Sequence, residues 1–598
     1  MNKKLFEYLF VLATIVIAIT FFFYGDLGFS QMTMSSQVLE SEELPIAAGV
    51  VPHHLLAQEI INKFFKELSN YPPIETVILL SPDHHNQTAL TGGHFITISS
   101  KVDERKQKDD SVSEIINAIS QNPSVKVSDF SVGHDQGVTN LMPFFEEYLP
   151  DTKVVPILIS SAATKAETKE LVDRLNEIVP RNTIFIASVD FSHYLPDPVL
   201  LLHDVQSIRV LTNLEEEFQN LDVDSWQSLY GVRYFSKLRN MEKANVIAHK
   251  TTNDFIGTLP ESSFLVQQGG ASYYSVILGE GEKQEILQKS ILMVGDIMMA
   301  RGVASLTDKY GLEYPFEKIK EMFRGVDIVY GNLEGPVMAN APLVSIYSVN
   351  FAYPPEIAKL LNGLGFTVLN IANNHIKDKG AAELRDTRGF LSENDIHSLG
   401  DYQSCDAEYY YQEGNIVFIG AHLVYGNPVC VQMILKNVKE IKEENPDVYI
   451  VVTPHWGTEY TPLPNKFQTN TAYALIDAGV DAVIGHHPHV VQAVEEYKGK
   501  PIFYSLGNFV FDMYFSKEVQ QELTVGIEYH PDEVIFYLIP IQSQKSQLSF
   551  MENEERGNFL NWLAGISSPS LQDSIKKGII QEPNYFLDVD SSESDNTI

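Results

Sequence analysis

The chain has 598 residues and a formal net charge of −35, from 43 basic against 78 acidic side chains. That length exceeds the roughly 250–300 residues over which one core keeps growing, so two large domains are expected. Ordinary apolar and charged fractions exclude disorder throughout, and the negative charge argues against nucleic acid or an anionic bilayer as a partner held by long-range attraction.

Lys3 and Lys4 precede the run Leu5–Tyr24, which is apolar except for Glu7, Thr14 and Thr20. Its charge-free part, Leu9–Phe23, falls short of the roughly 20 residues of a bilayer span, but its flanks complete one. The exit, Phe21 to Asp26, offers no small-x-small cleavage site. Residues 1–24 are therefore expected to be a single transmembrane anchor, N-terminus in the cytoplasm and the bulk of the chain outside. A cleaved signal peptide is the competing reading, and both export the chain. Residues 25–43 are polar, rich in Ser and Gln, and read as a linker.

Strands are expected at Ile46–Val51, Thr76–Leu80, Val154–Ile159, Thr183–Ser188 and Tyr273–Leu278. They alternate with helical stretches such as Glu167–Val179, where Leu171, Leu175 and Ile178 recur at helical spacing. This is α/β grammar with a largely parallel sheet. The polar, glycine-bearing segment Gly279–Glu285 marks a boundary, giving one domain over 44–282 and a second over 283–545. The second series runs through Ile291–Val294, Asp327–Tyr330, Thr367–Ile371, Ile416–Ile419, Val448–Val452, Ala482–Ile484 and Ile502–Tyr504. Past Ser543 the pattern decays, and 546–598 reads as an extension with an acidic, disordered tail. Two cysteines, Cys405 and Cys430, are too few for a disulfide framework and are expected to be unpaired thiols.

In the second series, polar clusters follow the strands, at the edge where an α/β sheet presents its ligands. They are Gly295-Asp296, Asn332 with Glu334, Asn373-Asn374-His375, His455 with Glu459, and His486-His487-Pro488-His489. Each alone has a bland reading: an Asp as helix cap, an Asn pair as a turn, a His packed in the core. Three imidazoles in four residues after a buried strand favour a metal, and the five clusters together make the functional reading strong. Imidazole with carboxylate and one amide suits Zn, Mn or Fe, and a bridged ion pair would hold water and substrate oxygens. An unligated His beside them can protonate a leaving group.

These motifs carry a resemblance. The stretches Val294–Arg301, Gly331–Pro336, Pro354–Glu356, Ile371–His375 with Asp378 and Gly380, His455–Tyr460, Gly485–Gln492 and Tyr504–Asp512 resemble the bacterial capsule synthesis / poly-γ-glutamate synthesis family. Its fold is similar to the calcineurin-like metallophosphoesterases, a four-layer αββα arrangement. The resemblance implies metal ligation by Asp296, Glu334, Asn374, His455, His487 and His489, with His375 as leaving-group acid and Asn374 and Glu459 beside it in the catalytic set; Asn508 would line the pocket. Two departures stand out: the family's Asp-x-His reads Asp296-Ile297-Met298, and the second-strand Asp is replaced by Asn332 or Glu334. The resemblance further implies a part in making or exporting an anionic surface polymer or glycan, alongside other membrane proteins of that machinery. Hydrolysis of phosphoester or γ-glutamyl bonds is the expected activity, and a non-catalytic scaffold or polymer-binding protein is the alternative.

The first domain resembles the Memo-like family, AmmeMemoRadiSam system protein B, whose fold is similar to the extradiol dioxygenase subunit. The matching stretches are Val51–His54, Leu80–His85, Gly133–Asp135 with Met142–Phe144, and Ala187–Tyr194. Carried over, His53, His84, His134, Asp190 and His193 line a pocket, which is either a metal-free binding pocket or holds a single metal on His53, His84 and a third ligand. In the relatives that ligand is a Cys; here Leu265 occupies the place and Glu261 is the nearest carboxylate.

Overall fold

The computed structural model describes residues 44–85, 95–99, 110–213, 218–258, 270–282, 288–402 and 410–583. The anchor expected at 1–24 lies outside them, as do Glu261 and Leu265. Among the described residues no helix is long and apolar enough to cross a membrane.

Residues 44–282 build one nine-stranded mixed sheet. Its centre is parallel, in the order Lys153–Ile159, Thr76–Pro82, Thr183–Ser188, Ile46–Val51. The last three of these are buried throughout, which is why each reads as a continuous apolar run. The strand Gly270–Gly279 pairs antiparallel with Ile46–Val51, and Phe191–Leu195 and Lys243–Thr251 pair antiparallel with it in turn. The helix expected at Glu167–Val179 spans Lys165–Ile178, opened by a capping box between Thr164 and Glu167.

From residue 288 onward the chain forms two further sheets. One joins parallel strands His397–Leu399, Phe366–Asn370, Ile328–Leu333 and Lys289–Ile297 to an antiparallel run Gln521–His530, Glu533–Gln544 and Gln547–Phe550. The other centres on parallel strands Ile416–His422, Tyr449–His455, Ala482–Ile484 and Lys500–Phe503. Ile291, Met293 and Tyr330 of the first sheet share a core with Phe418, Val451 and Ile484 of the second, so the sheets pack face to face. Helices Glu356–Gly363 and Ala381–Ser392 contribute to the core on one outer face, Pro428–Glu444 and Lys466–Asp477 to that on the other. This is the four-layer αββα arrangement expected.

Two findings depart from expectation. Residues 544–583 do not form a separate extension, while the acidic tail expected at 588–598 lies outside the described residues. The helix Asn553–Ile566 buries Phe559, Leu560 and Leu563 in the inter-sheet core, and Ile579–Pro583 pairs with Glu533–Gln544. The apolar spacing there is short and interrupted by the polar turn at Ser567–Ser568, which hides it from a periodicity reading. Cys430 is disulfide-bonded rather than a free thiol. A count of two cysteines excludes a framework, not one bridge.

The two α/β halves share a core. Val199, Leu200 and Leu202, on the helix Asp197–Asn213, join the cluster that contains Leu292, Tyr537 and Ile539. Arg209 forks onto Asp327 with contacts of 2.7 and 2.5 Å and donates to the Gln288 carbonyl at 2.9 Å. His203 bridges Asp222 and the Met322 carbonyl, at 3.0 and 3.1 Å. The Arg209–Asp327 pair is buried, with side chains 3% and 9% exposed. Arg209→Ala leaves the Asp327 carboxylate without its cation and held only by the Ser290 N–H and hydroxyl, and a loss of about 3 kcal/mol in unfolding free energy is expected from denaturant titration.

Candidate functional site: a buried carboxylate–imidazole cluster between two sheet ends

The cluster forms where the two packed sheets end. In the first sheet the register places Asn508, Asp296, Asn332 and Asn370 in a row across adjacent strands. In the second, His422 lies opposite His455, and His455 bridges to His486. Gly295 permits this convergence, since a Cβ there would lie 2.1 Å from the Gly507 carbonyl oxygen.

Asp296 and Glu334 are completely buried. Asp296 accepts from the Asn332 side-chain amide at 2.8 Å and from the His487 backbone N–H at 3.2 Å. Both Glu334 carboxylate oxygens are buried without a hydrogen-bond partner. Around them lie His486 Nδ1, 3.6 Å from Asp296, His489 Nε2, 4.0 Å from Glu334, and His375 Nε2, 3.7 Å from Glu334. His455 and His487 stand with ring centroids 4.9 Å apart, and His455 Nε2 is 2.8 Å from the Asn374 side-chain oxygen. One nitrogen each of His455 and His487, and both of His486, are buried without partners.

The electrostatics follow from burial. Desolvation pushes Asp296 and Glu334 well above the usual carboxylate range, and for Glu334 the neighbouring Asp296 adds to it. Desolvation also drives His455 far down, His487 to about 3 and His489 to about 4. Buried carboxylates and unpartnered imidazole nitrogens brought together in this way are a setting that a divalent cation would stabilise. The donor set passes the same test: two carboxylates, three imidazoles and an amide suit Mn, Fe or Zn. Asp296, Glu334 and His489 bring ligand atoms within 4.8 Å of one another, as do Glu459, His487 and His489. Glu459 is exposed and stands at the mouth.

The surrounding residues fix these groups. Asn508 bonds His489 Nδ1 through its side-chain oxygen at 2.8 Å and donates to the carbonyls of His489 and Val519, so the free lone pair of His489 is on Nε2. Asp378 accepts from His375 Nδ1 at 2.9 Å and from the Phe351 backbone N–H at 2.6 Å, turning His375 Nε2 inward. His487 and His489 adopt φ of 100° and 59°, conformations costly outside glycine and typical of functional sites.

The two departures from the family pattern find physical explanations. Met298 lies in the hydrophobic core with its sulfur accepting from the Ala300 N–H at 3.1 Å, so it offers nothing to the site. Asn332 is a positioning residue: its amide nitrogen holds Asp296, while its oxygen takes Asn370 and Asn373 amides at 3.2 and 3.3 Å. Glu334 is the carboxylate that remains. Asn332→Ala is expected to weaken metal affinity about 10–100-fold while the fold persists, read by competition with a metallochromic chelator. Asn373 is likewise structural, donating to the Leu333 carbonyl at 2.9 Å, which leaves Asn374 facing His455. Sequence reasoning missed His422, whose Nε2 is buried and unpartnered 6.5 Å, ring to ring, from His455. Its signal was present, since it ends its strand as His455 ends the next.

The first half holds a second cluster. His53 is buried and packs edge-on against His84, ring centroids 5.0 Å apart. Its Nε2 lies 3.4 Å from Asp190 and 3.6 Å from Asp224. His193 joins Asp190 and Asp224 in a potential ligand group. His134, expected here, is not among them: it is exposed, stacked on Phe130, with Nδ1 2.8 Å from the Phe130 carbonyl oxygen. Its neighbour Asp135 faces inward instead, accepting from His84 Nδ1 at 3.0 Å. Asp224 was not foreseen, because an Asp just ahead of a helix reads as a cap; Ser225 does the capping.

Comparison with known proteins agrees with this division. The profile of the bacterial capsule synthesis protein PGA_cap matches residues 290–513, and that of Memo-like protein matches residues 31–260. The capsule biosynthesis protein CapA of Bacillus anthracis is 34% identical over 282 residues, covering 43% of this chain and 68% of that protein. The PGA biosynthesis protein CapA of Bacillus subtilis (strain 168) is 35% identical over 261 residues, covering 40% and 67%. A MEMO1 family protein of Pyrobaculum arsenaticum is 24% identical over 176 residues, 28% of this chain and 60% of that one. The chain belongs to the bacterial capsule synthesis family, with a Memo-like domain fused ahead of the CapA-like one.

Proposed function

We propose that this protein acts outside the cell membrane, held by an N-terminal anchor, as a metal-dependent hydrolase in the synthesis or export of a poly-γ-glutamate-type surface polymer. The observation that carries the reading is the buried, unpartnered Glu334 carboxylate beside Asp296, ringed by inward-facing imidazoles. Asp296, Glu334, Asn374, His455, His487 and His489 would hold one or two Mn, Fe or Zn ions, which supply Lewis acidity toward the substrate's anionic oxygens. His375, oriented by Asp378, presents Nε2 to the pocket and would give a proton to the departing alkoxide or amine as the phosphoester or γ-glutamyl bond breaks. Arg301, stacked on Phe351 and Phe511 and bonded to Asp512, places a cation among these groups that suits an anionic substrate.

The test is turnover of phosphodiesters and γ-glutamyl amides by the full chain reconstituted with Mn, Fe or Zn. Metal-dependent cleavage that Asp296→Ala abolishes supports the reading. Metal-loaded protein that cleaves neither bond class but retains the polymer would favour a non-catalytic scaffold, for which the loss of a ligand at Met298 is the motivating observation.

A further inference from the structure

The cluster in the first half contains two ligand groups, not one, and they share a residue. His53, His84 and Asp224 bring ligand atoms within 4.8 Å of one another, and so do Asp190, His193 and Asp224. They come from separate elements: His53 and His84 from the ends of strands Ile46–Val51 and Thr76–Pro82, and Asp190 and His193 from the end of Thr183–Ser188 and the strand after it. Asp224 comes from the turn before helix Trp226–Leu238.

Hydrogen bonds assign the ring protons. His84 Nδ1 meets the Asp135 carboxylate at 3.0 Å, which can only accept, so the proton sits on Nδ1 and the lone pair on Nε2. Asp135 is itself fixed by the backbone N–H groups of His84 and Gly137, at 3.1 and 2.9 Å. Ser188 donates its hydroxyl proton to the Gly137 carbonyl at 2.6 Å, so at 3.4 Å its oxygen accepts from His53 Nδ1–H. His53 Nε2 faces the Asp190 and Asp224 carboxylates, 3.4 and 3.6 Å away. A metal ion there would take the place of the proton that Nε2 otherwise shares with these carboxylates. One Asp224 oxygen accepts from the Asp190 N–H at 3.1 Å; the other is buried without a partner. Imidazoles whose second nitrogen is held by a carboxylate or hydroxyl are the usual setting of metal-ligating histidine.

We infer that this pocket binds two divalent transition-metal ions bridged by Asp224, one on His53 and His84, the other on Asp190 and His193. A bridging carboxylate is what holds two such ions at the roughly 3.5–4 Å of dinuclear sites. The ligand set needs no residue from outside the described pocket. It stands independently of the chemistry proposed for the CapA-like domain.

The experiment uses the full chain carrying Asp296→Ala and His487→Ala, so that ions of the other site are absent. After loading with Mn(II), metal is counted by plasma mass spectrometry and the spectrum recorded by electron paramagnetic resonance. Two Mn per chain with a spin-coupled spectrum are expected. His193→Gln should leave one ion and an uncoupled six-line signal, and Asp224→Asn should abolish the coupling. His193 is partly exposed, so its variant is tolerated even where the Asp224 variant unfolds, as circular dichroism will show. One ion or none in the parent, or a count and spectrum unmoved by His193→Gln, overturns the inference. The same substitutions with Asp296 and His487 intact must lower the total by the same number, which separates this outcome from failure of the CapA-like site.

Discussion

Asp296→Ala is expected to lower metal-dependent turnover by at least about a thousandfold, equivalent to about 4 kcal/mol of transition-state stabilisation. Asp296 is held from two directions, by Asn332 and by the His487 backbone, and it faces Glu334 and His489. Removing it leaves Glu334 as the sole buried carboxylate of its ligand group and halves the negative charge that retains a divalent ion. The fold should survive, because the residue replaced is disfavoured by desolvation where it stands. An unchanged thermal unfolding midpoint with lost turnover is the expected pair of readings; lost turnover with collapse of the midpoint would mean that Asp296 serves structure.

His375→Ala is expected to act differently. Its Nε2 faces Glu334 at 3.7 Å, while Nδ1 is committed to Asp378. Loss of a positioned general acid lowers kcat by about 10²–10⁴-fold. Metal content should stay constant, and the deficit should shrink for substrates with good leaving groups, which need no proton. A deficit independent of leaving-group pKa, accompanied by metal loss, would make His375 a ligand instead. Asp378→Asn should reproduce part of the defect, since it loosens the ring without removing it.

Most of this architecture was legible because buried parallel strands are near-continuous apolar runs. Thr183–Ser188 and Ala482–Ile484 were visible on that account, and the polar residues after such runs mark the ligand edge. His487 and His489 stood out for the same reason. Burial and partner choice were not legible. Residue type and spacing alone do not separate Asn373, which braces the Leu333 carbonyl, from Asn374, which meets His455; the family motif picked out Asn374. Asp224 and His422 were missed because each is a single polar residue beside an ordinary element boundary. His134 misled for the opposite reason: it sits in a matching motif, yet its helix turns it outward onto Phe130. The antiparallel run Gln521–Gln544 escaped notice because its strands mix polar and apolar residues, and the sheet they extend was already accounted for by parallel strands.

The shared core between the halves bears on function. His203 ties Asp222 to the Met322 carbonyl, and the Asn220 carbonyl accepts from the Gly325 N–H at 2.8 Å. Residues 220–224 therefore touch the CapA-like half at one end and carry Asp224 into the Memo-like pocket at the other. Fusion here is physical, not a tether between independent beads.

The most direct test is metal content by plasma mass spectrometry of the full chain, compared with the Asp296→Ala/His487→Ala double variant after identical reconstitution. A loss of one to two equivalents of Mn, Fe or Zn in the variant is expected if the CapA-like cluster is a metal centre. Equal metal in both proteins, or none in either, would contradict it.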